Sequence, residues 1–459
     1  MLETKNLKFE SNNYLKPNTY MKIMKFGGTS VGKPERMHQV KELITRDNQK
    51  KIVVLSALSG TTNALVGIGD ALADANKTLA KERIDTLHKH YLAFYKELLK
   101  TESAQKKAEK IIAEHFEFLN IILKISFNEA INRDILAQGE LLSTKLFYTL
   151  LQELDIPAVF LPALDFMSID ENHEPELKKI SEKLESILSN YADESFFITQ
   201  GYICKNHRNE VDNLKRGGSD YSASLIGAAI NASVVEIWTD IDGMHNNDPR
   251  IVDQTRPIAE MSFDEAAELA YFGAKILHPA SIWPAQHHNI AVKLLNTMEP
   301  DAPGTTITAQ EVGIGVKALA AKDGITAIKI KSSRMLLAYG FLRKVFEVFE
   351  KYKTSIDMIT TSEVAVSVTV DDVSHLSEIV KELEAYGAVE VDQNQAIISI
   401  VGNMIAESKG SIAQIMNCLT DYPVRMVSYG GSRHNVSLLV DAQFKNAALQ
   451  SLNDGLFEW

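Results

Sequence analysis

Ile23-Met24-Lys25-Phe26-Gly27-Gly28-Thr29-Ser30 reads as a short apolar strand that ends in two adjacent glycines and passes straight into a helix. Paired glycines let a backbone approach a ligand closely, and Thr29 and Ser30 can cap a helix whose free N–H groups attract an anion. Lys25 stands at the strand end beside them. Outward from this point the alternation continues. Apolar runs at Lys51 to Leu55, Ala158 to Leu161, Phe196 to Thr199, Val234 to Trp238 and Val292 to Leu295 are separated by helical stretches, which predicts an α/β sheet covered by helices.

The glycine-turn logic recurs. Arg216-Gly217-Gly218-Ser219-Asp220 precedes the small-residue helix Tyr221 to Ala232, and Ser56-Ala57-Leu58-Ser59-Gly60-Thr61-Thr62-Asn63 follows the second strand with backbone and hydroxyl donors. All three loops fall beyond the carboxyl ends of strands, where open α/β sheets bind ligands. One glycine pair at such a turn is ordinary turn chemistry. Three loops, two with a basic residue at the glycines, point to a phosphate site. Gly27 to Lys33 also fits P-loop spacing, but Pro34 stands where that motif needs a Mg²⁺-binding hydroxyl.

Other polar residues punctuate apolar segments. Glu140, in Gln138-Gly139-Glu140-Leu141-Leu142-Ser143, is expected to open a helix, either as favourable charge near its N-terminus or as the holder of an ammonium. Trp238-Thr239-Asp240 leads into Asn246-Asn247-Asp248-Pro249-Arg250, a turn-rich loop able to wrap a nucleotide. Lys275 lies in the mostly apolar Phe272-Gly273-Ala274-Lys275-Ile276-Leu277-His278-Pro279. A lysine is seldom buried without a partner, which suggests a bound anion.

The composition sets the outer limits. The 459 residues are 45% hydrophobic and 24% charged, the balance of a globular chain of several domains. Lys and Arg total 48 against 60 Asp and Glu, a net charge of -12, which argues against a surface built for nucleic acid or anionic lipid. Two cysteines, Cys204 and Cys418, make no disulfide framework and fit a reducing cytoplasm. Cys204 and His207 have metal-like spacing without a second ligand pair, so packing is expected there. No apolar run reaches the roughly 20 residues of a membrane helix. Residues 1–20 are polar and Asn-rich and read as a loose extension. From Asp70 to about Phe127 the chain is rich in Lys, Glu, Ala and Leu at helical spacing. This segment reads as helices added at the sheet edge, with His88 and His90 on their solvated surface.

Beyond Asp301-Ala302-Pro303-Gly304 and the Gly-rich Val312 to Gly315 the pattern changes, and residues 301–320 read as a linker. Ile325 to Ile330, a helix from Tyr339 to Tyr352, Ser355 to Thr360, Val364 to Val370, a helix after Ser374 and a strand near Val389 give βαββαβ. The order restarts at Ala396, with strands at Val424 to Ser428 and Val436 to Val440 and helices after Gly410 and Gln443. The second copy reaches Trp459 without its closing strand, which must come from elsewhere by strand exchange or from an intersubunit sheet.

Together, Lys25 to Val31, the Ser56 to Asn63 loop, Gln138-Gly139-Glu140, Arg216 to Tyr221, Trp238-Thr239-Asp240 and Phe272 to Lys275 resemble aspartate kinase, in order and in spacing. The resemblance is closest to monofunctional, lysine-sensitive members of the amino-acid kinase family. It implies an αβα sandwich around a mainly parallel sheet over residues 21–300, followed by two ferredoxin-like ACT domains over 321–395 and 396–459. It implies phosphoryl transfer from ATP, with Mg²⁺, to the side-chain carboxylate of L-aspartate in the cytoplasm. By the same resemblance Lys25, Asp220 and Lys275 are catalytic. Lys25, Gly27, Gly28, Gly60, Thr239, Asp240, His245, Arg250 and Lys275 bind ATP, and Ser56, Thr62, Glu140, Arg216 and Ser219 bind aspartate. Met335, Ala338, Gly340, Ile356, Asp357, Ser362 and Glu363 fall at the effector site, with lysine the expected inhibitor and threonine the alternative. A homodimer or dimer of dimers is implied. Two positions depart from the family pattern: His245 stands where many relatives carry Tyr, and Ala338 where lysine-sensitive relatives can have Ser. The competing readings are a kinase for acetylglutamate or glutamate, and an amino-acid sensor that has lost catalysis.

Overall fold

The computed structural model describes residues 21–215, 217–273, 277–332 and 339–457. The chain divides into two compact units, one running to Trp238 and taking back His287–Val292, the other made of Thr239–Gln286 and Lys293 onward.

In chain order the strands of the first unit are β1 (Lys22–Phe26), β2 (Lys51–Leu55), β3 (Val159–Leu161), β4 (Phe196–Gln200), β5 (Ile203–Lys205), β6 (Val211–Asn213) and β7 (Val235–Thr239). The main sheet runs β3-β4-β2-β1-β7, with every pair parallel. Parallel sheets are covered on both faces, so their strands are continuously apolar rather than alternating. Ile52, Val53, Val54 and Leu55 accordingly have no exposed surface. β5 and β6 form a separate antiparallel hairpin, and Cys204 is buried in it.

The helical region is an antiparallel stack of Thr61–Ala73, Lys77–Leu98, Glu102–Ile122 and Glu129–Glu153. The last three are capped by side chains. Asn76 accepts from the Leu79 N–H, Thr101 from Ala104 and Asn128 from Ile131, closing orphan donors as helix starts require. His90 is exposed, whereas His88 is half-buried and stacks on Phe116 at 4.4 Å. No described helix is long and apolar enough to cross a membrane.

The second unit carries β8 (Glu260–Ser262), β9 (Val292–Asn296) and β10 (Thr305–Thr308), ordered β9-β10-β8. It also holds a six-stranded sheet of β11 (Gly315–Lys331), β12 (Ile359–Thr361), β13 (Ala365–Val370), β14 (Ala388–Asn403), β15 (Val424–Ser428) and β16 (Asn435–Asp441). Its order is β12-β13-β11-β14-β16-β15. The two long strands cross both repeats. The later part of β11, Thr326 to Lys331, pairs with β13, while its earlier part, Gly315 to Lys322, pairs with Ile397 to Asn403 of β14.

Two expectations are thereby corrected, and a third is narrowed to exchange within the chain. Residues 305–308 and 315–320, read as linker, are strand. The boundary placed between 395 and 396 falls inside β14. The closing strand of the second repeat comes from the same chain, as Gly315 to Lys322 laid antiparallel along Ile397 to Asn403. The register slips between Lys322 and Ala327, where Gly324 and Asn394 both take positive φ, the mark of bulges that bend a ribbon from one repeat to the next. In the first repeat only Ile359–Thr361 of the expected Ser355 strand is regular, because the Asp357 and Met358 N–H groups bond irregularly to Thr369.

The two repeats keep separate cores. Ile328, Ile330, Val345, Val366 and Leu383 belong to one, while Leu319, Ile398, Ile400, Val436 and Leu449 belong to the other. Leu319 therefore packs with the second repeat although it precedes the first. Truncating Leu319 to Ala should cost about 2 to 4 kcal/mol. Urea denaturation followed by a probe in helix Lys445–Leu456 should show the loss; an unchanged transition there would mean that the borrowed strand adds nothing to that core.

Candidate active site

The carboxyl ends of β1 and β2 and the turn before helix Gly218–Ile230 bring the three glycine loops together. The Lys25 ammonium lies 2.6 Å from Asp220 Oδ1, with the two side chains 11% and 17% exposed. A Cβ on Gly28 would sit 3.0 Å from the Ala57 carbonyl oxygen, and one on Gly32 would sit 2.7 Å from Ser59 Cβ. The first and second loops thus touch through glycine, and the first and third are joined by the ion pair.

The helices behind these loops start alike. Helix Gly28–Val31 follows Gly27, helix Thr61–Ala73 follows Gly60 at φ +81°, and helix Gly218–Ile230 follows Gly217 at φ +68°, none with a side-chain cap. Glycine supplies the left-handed turn at Gly60 and Gly217 without offering an oxygen. These starts therefore lack a side-chain cap, unlike the other three helices of the stack, and uncapped starts favour anions. Two of the N–H groups at these turns are already taken: the Thr61 N–H donates to the Leu58 carbonyl at 3.0 Å, and the Gly27 N–H is bonded as well. It donates to the Trp238 carbonyl at 3.2 Å, so the expected contact of its amide with phosphate is corrected to close backbone approach.

Glu140 lies in the middle of the 25-residue helix Glu129–Glu153 and not at a helix start, which removes the dipole explanation for it. Asn128 caps that helix about three turns earlier than the Gly139 break suggests. Gly139 is there for contact: a Cβ would stand 2.8 Å from Ala57 Cβ and 3.3 Å from Thr61 Cγ2. One Glu140 oxygen accepts from the Ala57 N–H at 3.2 Å, and the other, Oε2, is buried without a partner. Burial pushes this carboxyl up to about 7 against the pull of the Ala57 N–H. Ser143 Oγ donates to the Ser56 carbonyl at 2.7 Å, tying helix and loop again. Ser219 is buried against Gly201, Gly60 is exposed, and Thr62 is exposed one residue into its helix.

Two phenols near Glu140 carried no signal in the sequence. Tyr91 is wholly buried, and Tyr202, at φ +65°, is pushed up to about 12 by burial and by the Glu140 charge. A positive φ at a tyrosine is uncommon and marks a constrained turn.

In the second unit Thr239 Oγ1 donates to Asp240 Oδ1 at 3.1 Å. His245 bridges Asp242 at 2.8 Å and Thr255 at 3.1 Å, and exposed Arg250 forks onto Asp248 at 2.9 and 2.6 Å. Arg216 and Lys275 lie outside the described residues, as do Met335 and Ala338. Gly340 turns at φ +78° into helix Phe341–Lys351, Ile356 packs on the first-repeat core, and Ser362 and Glu363 are exposed. Asp357 already holds an ammonium, that of Lys322 at 2.7 Å, and accepts from the Tyr271 hydroxyl at 3.2 Å, while its Oδ2 is buried without a partner. Helix Phe263–Tyr271 meets the six-stranded sheet region at three points on one face. Glu265 pairs with Lys317 at 2.8 Å, Glu268 accepts from Asn435 at 3.0 Å, and Tyr271 reaches Asp357.

Among known proteins, the amino acid kinase family profile matches residues 21–296 and an ACT domain profile matches 398–456. Lysine-sensitive aspartokinase 3 of Escherichia coli is 32% identical over 448 residues, covering 95% of this chain and 99% of that protein. Crystal structures of E. coli aspartokinase III superpose with TM-scores of 0.81, in complex with aspartate and ADP (R-state), and 0.80, in complex with lysine and aspartate (T-state). Each is 32% identical and covers 95% of this chain and all of the other. With its parallel sheet, its uncapped glycine turns and its ACT region, the chain belongs to the amino acid kinase family and, within it, to the aspartokinases.

Proposed function

We propose that this chain moves the γ-phosphoryl group of ATP to the side-chain carboxylate of L-aspartate, and that lysine bound in the ACT region restrains it. A carboxylate with a pKa near ~4 is already ionised at neutral pH, so the acceptor needs no base. Repulsion is the obstacle. An anion must approach a polyanion, and catalysis rests on positioning and on positive groups around the transferring oxygens. The observation that carries the reading is the Lys25 ammonium held 2.6 Å from Asp220 beside the glycine turn.

In this reading an aspartate oxygen attacks the γ-phosphorus, the bond to the β-phosphate oxygen breaks, and ADP leaves with the electron pair. Lys25 and Lys275 neutralise the moving charge, and Asp220 orients them. Gly28 and Gly60 let N–H groups meet phosphate oxygens; Thr239, Asp240, His245 and Arg250 serve the rest of the nucleotide. Glu140 takes the α-ammonium of aspartate on its unpartnered oxygen, Arg216 takes a carboxylate, and Ser56, Thr62 and Ser219 supply hydroxyls. No group of three or more His, Cys, Asp or Glu that could hold a metal occurs among the described residues. Mg²⁺ would be carried with the nucleotide phosphates and would offset part of their charge.

Residues 21–300 form the catalytic domain in this reading. The two ACT repeats take lysine near Asp357, where an effector ammonium would compete with Lys322 for a buried carboxylate. Helix Phe263–Tyr271, which precedes Lys275 by four residues, would carry the change. Exposed Ile359 on the edge strand β12 and exposed Val364 in the turn after it support completion of this site by a second copy.

Three outcomes test the reading. Incubation with ATP and aspartate should give an acyl phosphate trapped by hydroxylamine, and lysine should suppress it more than threonine; product with glutamate alone would reject the substrate. Lys25→Ala should lower kcat by about 10²-fold or more with folding retained, and near-normal turnover would remove Lys25 from the mechanism. Glu140 gives a pH signature. Its carboxyl is raised in the free protein, so it is protonated below about 7 and must ionise to hold an ammonium. Aspartate binding should thus release close to ~1 proton at about pH 6 and few at about pH 8.5. Calorimetry in buffers of different ionisation enthalpy measures this, and the release should vanish in Glu140→Gln.

A further inference from the structure

Helices Lys77–Leu98 and Glu102–Ile122, the two middle members of the stack between β2 and β3, supply no residue to the chemistry above, yet they reach the acceptor side of the site at two buried points. Tyr91, on helix Lys77–Leu98, places its hydroxyl 3.2 Å from Thr61 Oγ1. Tyr91 is 0% exposed and Thr61 1%. Thr61 is the first residue of the helix that follows the left-handed Gly60, and its N–H already closes onto the Leu58 carbonyl at 3.0 Å. Its hydroxyl is therefore a side-chain handle by which the stack grips the Gly60 turn. On the next helix, His115 Nδ1 lies 2.5 Å from Gln138 Oε1, and its other nitrogen meets Lys145 Nζ at 2.9 Å. Gln138 stands two residues before Glu140. Both grips land beside residues assigned above to aspartate, Thr62 and Glu140.

We infer that the helical stack is a positioning frame for the acceptor amino acid, in which Tyr91 holds the Gly60–Thr62 turn through the Thr61 hydroxyl. The inference rests on the reading that Thr62 and Glu140 bind aspartate. Two hydroxyls buried together must satisfy each other, since neither can turn to water. The turn is pinned from behind in this way, while its exposed face, carrying Gly60 and Thr62, stays free for ligand. Gly139 seals the same contact from the Glu129–Glu153 helix by admitting Thr61 Cγ2 and Ala57 Cβ. Tyr91 is a positioning residue in this account, because it acts through Thr61 and meets no reactant.

Tyr91→Phe keeps the ring and removes only the hydroxyl. It should raise KM for aspartate by about three- to ten-fold, the scale of one buried hydrogen bond, and leave KM for ATP near the parent value, with a small drop in the thermal midpoint from the orphaned Thr61 hydroxyl. Thr61→Val should do the same. The Tyr91→Phe/Thr61→Val double variant should be no worse than either single one, because the second change removes a group already left without its partner. An unchanged aspartate KM in Tyr91→Phe would overturn the inference. So would a parallel rise in both KM values with a lower midpoint, or additive effects in the double variant. Glu140→Gln separates the two levels. If it raises aspartate KM and Tyr91→Phe does not, the frame fails and the site assignment stands; if Glu140→Gln leaves aspartate KM unchanged, the assignment itself fails.

Discussion

A lysine at the end of a central parallel strand has little water to lean on, and the fold answers with one carboxylate. Lys25 and Asp220 lie on different elements, nearly two hundred residues apart, and their 2.6 Å contact requires β1 and helix Gly218–Ile230 to meet in one register. The pair is neutral in sum. In the reaction proposed above, the ammonium would turn to the greater negative charge of phosphate while the carboxylate limits where it points. The uncapped glycine starts work to the same end. They add partial positive charge without a flexible side chain, and the capped helices of the stack show what an ordinary helix start in this chain looks like.

Much of this was legible because it is local. Lys51–Leu55 and Val424–Ser428 read as strands from their apolar runs and have those bounds in the structure. The three glycine loops announced themselves by composition. What was not legible depends on distant partners. Gly139 looks like a helix boundary, yet it lies mid-helix because Ala57, more than eighty residues away, needs its space. Lys317-Ala318-Leu319-Ala320-Ala321-Lys322 has no β-branched residue and follows a Gly-rich stretch, so it reads as connection; only the waiting edge of β14 makes it a strand. Tyr91 sits on an apolar helical stripe like any core aromatic, and nothing near it tells that its hydroxyl will meet Thr61.

In the second unit, helix Phe263–Tyr271 is tied to the six-stranded sheet region at successive points along one face. Glu265, Glu268 and Tyr271 follow one another at three-residue spacing, which places them on one face of their helix. Each has its own partner, on β11, on β16 and in the first repeat respectively. Glu265 is also held by a capping box with Ser262, so the N-terminal end of the helix is fixed twice. The C-terminal end is held through Tyr271 and a carboxylate whose second oxygen is still unpartnered. A change at Asp357 would therefore act on the looser end, the one nearer Lys275 in sequence.

The long ribbon of β11 and β14 also bears on how such a regulatory region changes over evolutionary time. Because one chain segment before the first repeat finishes the second, neither repeat is a contiguous cassette that recombination could excise or replace alone. A graft of either half would strand the other with an open edge, which invites aggregation. New effector specificity is thus confined to substitutions made in place, and the duplicated repeats are inherited as one indivisible piece.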